Sequence, residues 1–102
     1  MTHGEKKSKF TEMVALLILF VKQQGYDIRF VKEHPNHMKS SLHFEGLAKD
    51  FEIRKNGVWL EDTKDYFFAG EFWESLHPLA CWGGRFSNPD GCHFSMTHFG
   101  RK

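Results

Sequence analysis

Cysteine is scarce in this sequence. The 102 residues include two cysteines, Cys81 and Cys92, and their separation does not match a C-x-x-C pair. Small secreted domains stapled by disulfides carry more cysteines than this, and ribbon-type structural zinc sites require closely paired ones. The scarcity argues against both classes and favours synthesis in a reducing cytoplasm.

Neither sign of charge dominates. The formal net charge is +1, charged residues make up 26% of the chain, and the lysines and arginines are scattered rather than gathered in one stripe. A nucleic-acid-binding surface usually shows as a basic patch or stripe. We therefore expect no nucleic-acid partner.

Long hydrophobic runs are also absent. The most apolar segment, residues 13–21, follows a basic start and has about half of the roughly 20 residues that a spanning helix needs. No small-residue cleavage site of a signal peptide follows it. Helical spacing predicts instead a core helix flanked by Thr11 and Gly25, and we expect no stable membrane insertion, with a signal-like or holin-like role as the alternative. The predicted core face consists of Phe10, Val14, Leu17, Ile18 and Val21.

Aromatic residues, by contrast, are abundant. They make up 16% of the chain and include eleven Phe and three Trp, so a single domain of this length can bury much apolar area. The segment "IRFVKEHPNHMKS" predicts a short helix or turn that ends near Pro35, because the residue before a proline avoids helical geometry. The segment "YFFAGEFWESLH" predicts a helix that ends at Pro78.

Strand-like segments account for much of the remainder. Residues 50–54 alternate between polar and apolar side chains, and residues 58–60 are all apolar. Asn56 and Gly57 between them are typical of a hairpin turn. The glycine-containing segment 81–100 predicts two further strands. The pattern predicts an α+β domain in which helices pack on a small antiparallel sheet.

Histidines and acidic residues occur together at two places in the chain. In "SSLHFEGLAKDF", Asp50 would lie on the less buried face of a strand, and His43 precedes it across Gly46. In "NPDGCHF", Asp90 lies three residues before His93, which strand alternation places on the polar face. Two imidazoles and a carboxylate match a catalytic zinc site, which leaves one position to water, and Asp90 is placed to move that water's proton. Seven histidines nevertheless offer many accidental pairs.

Two segments resemble the metal-binding motifs of a family of zinc peptidases. Residues 41–50, "SLHFEGLAKD", fit S-x-H-x-x-G-x-A-x-D at every position, and "WGGRFSNPDGCHF" is similar to the second motif of the phage members. The family includes D-Ala-D-Ala carboxypeptidases, vancomycin-resistance dipeptidases and phage L-alanyl-D-glutamate endopeptidases. The resemblance runs from about residue 10 to the C-terminus. It implies a Hedgehog/DD-peptidase-like fold and a single zinc peptidase catalytic domain over residues 1–102, with no separate cell-wall-binding domain.

The resemblance also implies the site residues. Zn²⁺ would be bound by His43, Asp50 and His93, and Asp90 would act as general base and acid. This is the same set that the spacing of the residues indicates.

Two further residues are implied to contact the substrate. Arg29 matches an upstream arginine of the family, and a guanidinium suits a peptide carboxylate or a developing oxyanion. Ser41 would orient a backbone group or the substrate, with a loop-capping serine as an equal alternative. Strand alternation predicts that Cys92 points away from the zinc and packs. Surface or packing roles are expected for the other histidines, which are His3, His34, His37, His77 and His98.

The expected function is hydrolysis of the peptidoglycan stem peptide, at the L-Ala-D-Glu bond, by a monomeric phage or prophage endolysin. Such an enzyme would be made in the host bacterial cytoplasm, without a signal peptide, and would act on the cell wall after release. One alternative is a D-Ala-D-Ala carboxypeptidase or dipeptidase, which needs a pocket closed around a terminal carboxylate. Another is a zinc-containing binding module that kept the fold without turnover, as in Hedgehog-type signalling domains.

Overall fold

The protein begins with a long amphipathic helix. The computed structural model describes residues 1–31, 42–43 and 45–102, and its first helix, α1, spans His3–Gln23. Thr2 and Glu5 form a capping box, since each side chain accepts a hydrogen bond from the backbone N–H of the other. The helix thus begins well before Thr11, the predicted N-terminal flank. Its fully buried residues are Phe10, Met13, Leu17 and Val21.

The core position of α1 is confirmed, with one adjustment of its buried face. Met13 lies at the centre of the buried face, whereas Val14 and Ile18, which were predicted to lie there, are half-buried. Across the described ranges, no helix has the length and apolar character needed to cross a membrane.

Five antiparallel strands form the sheet. They are β1 (Asp27–Phe30), β2 (Ala48–Lys55), β3 (Val58–Trp59), β4 (Ala80–Trp82) and β5 (His93–Met96). The main order is β1-β2-β5-β4, and β3 pairs with the end of β2. The predicted α+β fold, in which helices pack on a small antiparallel sheet, is confirmed.

One predicted helix or turn is a strand. Residues 27–30 form β1, in which Ile28 lies opposite Ile53 of β2. The helix or turn predicted over this stretch is therefore wrong for Ile28, Arg29 and Phe30, because pairing with β2 overrides the local preference. The rest of that prediction, around Pro35, lies outside the described residues.

The predicted hairpin between β2 and β3 is confirmed. Asn56 and Gly57 both have positive φ angles, 52° and 78°. Positive φ at both central residues defines the type I′ turn, whose twist matches that of the flanking strands. The hairpin places β3 on the side of β2 that faces away from β1, because Arg54 pairs with both Asp27 and Trp59.

The second helix, α2, spans Phe67–Ser75 and follows a short 3₁₀ helix at Thr63–Tyr66. It packs directly on β4: a Cβ atom added at Gly70 would lie 2.2 Å from the Trp82 ring. Trp73 of α2 lies edge-on to both Phe10 and Phe94, which joins the two helices and the sheet in one aromatic core. This packing holds β5 in the centre of the sheet.

Strand β5 is buried on both faces. All four of its residues are buried, including His93 and Ser95 on the polar face. His93 and Ser95 are covered because the Lys102 main-chain oxygen returns over that face, where it accepts a hydrogen bond from Ser95 Oγ at 2.6 Å. The predicted polar side for His93 is confirmed, since its ring faces Asp50 and the Lys102 main-chain oxygen, although this polar face is buried.

Candidate metal centre

Asp50 and His93 form a cross-strand pair in the middle of the sheet. They lie directly opposite each other on β2 and β5, and facing residues of antiparallel strands project to the same side. His93 Nδ1 lies 3.6 Å from Asp50 Oδ1. Two of the three predicted metal ligands are therefore positioned by sheet register alone.

His43 approaches the pair from the loop before β2. Its Nε2 lies 3.8 Å from Asp50 Oδ2, and its ring centroid is 5.5 Å from that of His93. Leu42 anchors this loop: its side chain is buried and its carbonyl accepts hydrogen bonds from the N–H groups of Glu45 and Leu47. Gly46 has a φ of 73°, so the turn uses the left-handed conformation that glycine adopts readily.

The three side chains can share one ion. A nitrogen from His43, an oxygen from Asp50 and a nitrogen from His93 all lie within 4.8 Å of one another. The His43 and His93 side chains are 7% and 11% exposed, and that of Asp50 is 21% exposed. Two neutral imidazoles and one carboxylate are a donor set that zinc accepts in catalytic sites. The residues present therefore fit a zinc ion that keeps one position open.

The backbone orients the His93 ring. The Lys102 main-chain oxygen lies 2.8 Å from His93 Nε2, so Nε2 carries the hydrogen and Nδ1 is directed toward Asp50. Burial by itself lowers the pKa of His93, but the nearby Asp50 carboxylate and the hydrogen bond to the Lys102 main-chain oxygen outweigh burial and raise it. A carbonyl partner on the far nitrogen is the usual way in which proteins fix a metal-binding imidazole.

Asp90 lies beside this group at the solvent edge. Its carboxylate is exposed, and one ligand atom each from Asp50, Asp90 and Cys92 lie within 4.8 Å of one another. The Asp90 N–H donates to the Gly83 carbonyl at 2.9 Å, and the Asp90 carbonyl accepts from the His93 N–H at 3.2 Å. A second carboxylate thus lies next to Asp50, one of the three candidate ligands.

The residues of the "WGG" segment hold the Asp90 turn in place. Trp82 is 3% exposed, and its indole N–H donates to the Gly91 carbonyl at 2.7 Å. A Cβ added at Gly83 would lie 2.2 Å from the Asp90 carbonyl oxygen and 2.7 Å from the His93 Cβ. The resemblance identified this segment as part of the second motif, but only the packed turn reveals that position 83 requires glycine.

Cys92 packs against the core, as predicted, but its thiol also lies near the carboxylates of Asp50 and Asp90. Its thiol donates to Asp90 Oδ1 at 3.1 Å. Residues 90–92 precede β5, so the alternation of that strand does not extend to Cys92. Burial, and then the contact with Asp90, raise the pKa of the Cys92 thiol well above its usual range. In this arrangement the thiol acts as a hydrogen-bond donor to Asp90.

Arg29 is placed on the same face of the sheet as Asp50. It lies opposite Glu52 on β1, and Glu52 is two residues from Asp50. Its side chain is 59% exposed, and Nε lies 3.4 Å from Asp27 Oδ2. The structure thus brings Arg29 to the right face without a contact to the candidate ligands among the described residues. Ser41 lies outside the described residues.

A second cluster of metal-binding side chains lies at the start of α1. His3, Glu45 and His98 each offer one ligand atom within 4.8 Å of the others. His98 is 4% exposed, and its Nδ1 lies 3.1 Å from Lys6 Nζ. The sequence favours surface or packing roles for both histidines, because no spacing signal connects residues so far apart in the chain.

Comparison with known proteins identifies the family. The family model described as D-alanyl-D-alanine carboxypeptidase matches residues 35–96, which is more than half of the chain and includes His43, Asp50, Asp90 and His93. No curated protein matches the chain. The matched segment contains strands β2 to β5 and the whole group of candidate ligands. The chain therefore belongs to the D-alanyl-D-alanine carboxypeptidase family of peptidases.

Proposed function

We propose that this protein is a zinc endopeptidase that cleaves the stem peptide of bacterial peptidoglycan between L-Ala and D-Glu. Family membership supports a peptidase that acts on peptidoglycan. The observation that carries the proposal is the convergence of His43, Asp50 and His93 within 4.8 Å, with the Asp90 carboxylate beside them.

In this proposal His43, Asp50 and His93 hold the zinc ion. When bound, zinc supplies Lewis acidity, which lowers the pKa of a water and polarises a carbonyl. The Lys102 main-chain oxygen keeps the His93 ring oriented, and the buried positions of the two rings keep competing water away from them.

Asp90 is the proton carrier. Its carboxylate takes a proton from the attacking water and delivers it to the nitrogen of the departing amine. The Cys92 thiol donates to Oδ1, which leaves Oδ2 to face the reacting groups. The backbone contact from Asp90 to Gly83 and the Trp82 contact to Gly91 hold the turn while the proton moves.

Arg29 and Ser41 are proposed to bind the substrate. Arg29 lies on the face that carries Asp50 and its side chain is exposed, so its guanidinium can pair with a substrate carboxylate or with a developing oxyanion. Ser41 precedes the His43 loop and would orient a substrate backbone group. Neither residue contacts the metal in this assignment.

The biological setting is part of the same proposal. The protein would be a phage or prophage endolysin, made in the host cytoplasm and acting as a monomer on the cell wall after release. Asp90 is exposed at the edge of the group, which suits an extended peptide that passes through an open groove.

A D-Ala-D-Ala carboxypeptidase is the second candidate, favoured by the description of the matching family. The two activities differ in the bond that is cut and therefore in the products. A carboxypeptidase releases free D-Ala, whereas the endopeptidase exposes a new D-Glu amino terminus.

The test is digestion of purified peptidoglycan by the zinc-loaded protein, with mass spectrometry of the fragments and labelling of new amino termini. New D-Glu termini that disappear with Asp90→Ala and with a chelator, but persist with the exposed-helix control Glu12→Ala, are the expected result. Free D-Ala would move the assignment to the carboxypeptidase. One bound zinc without any cleavage would contradict both and indicate a binding module.

A further inference from the structure

A cavity of about 260 Å³ lies next to Asp90, and none of the three candidate ligands is among its described lining residues. It forms where β3 and the turn before β5 adjoin the same edge of β2. The Phe51 N–H donates to the Cys92 carbonyl and the Leu60 N–H donates to the Ile53 carbonyl, both at 2.9 Å. The segments that follow β3 and precede β5 leave this space between them.

The walls of the cavity are firmly held. Tyr66 is 2% exposed, donates its hydroxyl hydrogen to the Leu60 carbonyl at 2.7 Å and accepts from the Ile53 N–H at 3.0 Å. A Cβ added at Gly91 would lie 2.8 Å from the Thr63 Cα, so the Asp90 turn packs directly against the 3₁₀ helix. The cavity is therefore built into the fold.

Apolar and acidic groups line the cavity. Trp59, Leu60 and Pro89 provide apolar surface, and the Trp59 ring is 46% exposed. Glu61 and Asp90 provide two carboxylates, and no lysine, arginine or histidine is among the described lining residues. Apolar walls that end at a carboxylate suit an aliphatic chain that carries a primary ammonium, which an exposed indole ring also attracts.

The position of Asp90 indicates which part of the substrate reaches the cavity. Asp90 delivers a proton to the departing amine, so groups on its far side belong to the leaving half of the peptide. Cleavage between L-Ala and D-Glu makes D-Glu the first residue of that half. The diamino acid that follows D-Glu in stem peptides then lies one residue farther from the metal centre.

We propose that this cavity binds the side chain of the diamino acid that follows D-Glu, with its primary ammonium paired to Glu61 and its methylene chain against Trp59. The assignment rests on the proposed function, because it uses Asp90 as the proton donor to the D-Glu nitrogen. It makes Glu61 a specificity-determining residue with no part in the bond cleavage.

The test measures binding of the leaving half by itself, so it does not depend on turnover. Calorimetry with the zinc-loaded protein compares γ-D-Glu-L-Lys with the same dipeptide acetylated on the lysine Nε. Acetylation removes the charge, and we expect it to weaken binding by about fivefold, the upper range for a partly exposed ion pair. The difference should shrink as salt is raised, because the pair is accessible to ions.

The variant Glu61→Gln should show a smaller preference for the charged dipeptide than the wild type, because it loses the carboxylate that pairs with the ammonium while Asp90 and Trp59 remain. Glu12→Gln, a change on the exposed face of α1, should retain the wild-type preference. Equal binding of the two dipeptides by the wild-type protein, or an unchanged preference in Glu61→Gln, would overturn the assignment. Peptidoglycan that stays intact while the charged dipeptide is preferred would contradict the proposed function and leave the cavity assignment standing.

Discussion

Asp50 and His93 lie directly opposite each other on β2 and β5, with His93 Nδ1 3.6 Å from Asp50 Oδ1. Their side chains meet because antiparallel register places both on one face of the sheet. The third candidate ligand, His43, comes from a loop that Leu42 anchors in the core. Two of the candidate donors lie on rigid strands and the third lies on a loop. The strands would therefore position a bound ion.

Removal of a candidate ligand should abolish stoichiometric zinc binding. His93→Ala removes one of three donors and Asp50→Asn replaces a charged carboxylate with a neutral amide, a weaker ligand, so we expect the bound metal to fall from one ion per chain to well below one after dialysis. Metal analysis by mass spectrometry measures this. His77→Ala, whose Nδ1 accepts from the Leu79 N–H, is the matched histidine control. Retention of one ion in His93→Ala would redirect attention to the group of His3, Glu45 and His98.

Asp90→Asn should separate turnover from metal binding. The amide keeps the size of the side chain but cannot accept a proton, so we expect kcat to fall by about 10²- to 10⁴-fold. Zinc content should remain that of the wild type, because Asp90 is not one of the proposed ligands. A variant that hydrolyses peptidoglycan at the wild-type rate would remove Asp90 from the mechanism.

Gly83→Ala should destabilise the fold and disturb the Asp90 turn. The new methyl group would lie 2.2 Å from the Asp90 carbonyl oxygen, and overpacking of this kind lowers the free energy of unfolding by about 1–3 kcal/mol. Urea unfolding provides the measurement. Gly4→Ala is the matched control, because the nearest contact of its Cβ is 4.0 Å away and alanine stabilises a helix by about 0.5–1 kcal/mol. Similar effects of the two substitutions would refute the packing argument.

Protonation of His98 should weaken the folded state. Burial and the nearby positive charges of Lys6, His3 and Arg101 lower its pKa, and Glu45 opposes them. Because the folded pKa lies below the unfolded value of about 6.5, the unfolded chain binds more protons as the pH falls through that region. The contribution of His98 to stability is therefore retained above about pH 6.5 and lost as the pH falls toward the folded pKa.

The measurement for His98 is urea unfolding of the metal-free protein at pH 7.5 and pH 5.5. His98→Gln keeps a polar side chain that cannot be charged, so it should lose less stability than the wild type on acidification. An equal loss in both proteins would show that other groups cause the acid sensitivity.

Local sequence preferences predicted several elements correctly. Asn56 and Gly57 adopt the positive φ angles that their residue types favour, and the apolar spacing of α1 identified a core helix. One failure reflects a long-range contact, and the other reflects a local capping signal. Residues 28–30 pair with β2 as a strand, and Thr2 begins α1 well before the predicted flank because Glu5 completes its capping box.

The candidate site shows the same division. Residue types and spacing selected His43, Asp50, Asp90 and His93, which the fold brings together. The spacing of the residues does not predict that Cys92 donates to Asp90. It also does not predict that Gly83 must lack a side chain for the turn to close. Both features depend on the path of the turn that precedes β5. Strand alternation does not specify the direction of side chains in that turn.

By itself the sequence determined the class of the fold, the order of the two motifs and the chemistry of the candidate ligands, because these follow from residue type, local backbone preference and periodicity. Only the tertiary structure decided that Asp50 faces His93, that Trp82 fixes the Asp90 turn through Gly91, and that a cavity opens between Trp59 and Asp90. These three features depend on strand register and on close packing between segments that are distant in the chain. No short stretch of residues encodes such register or packing.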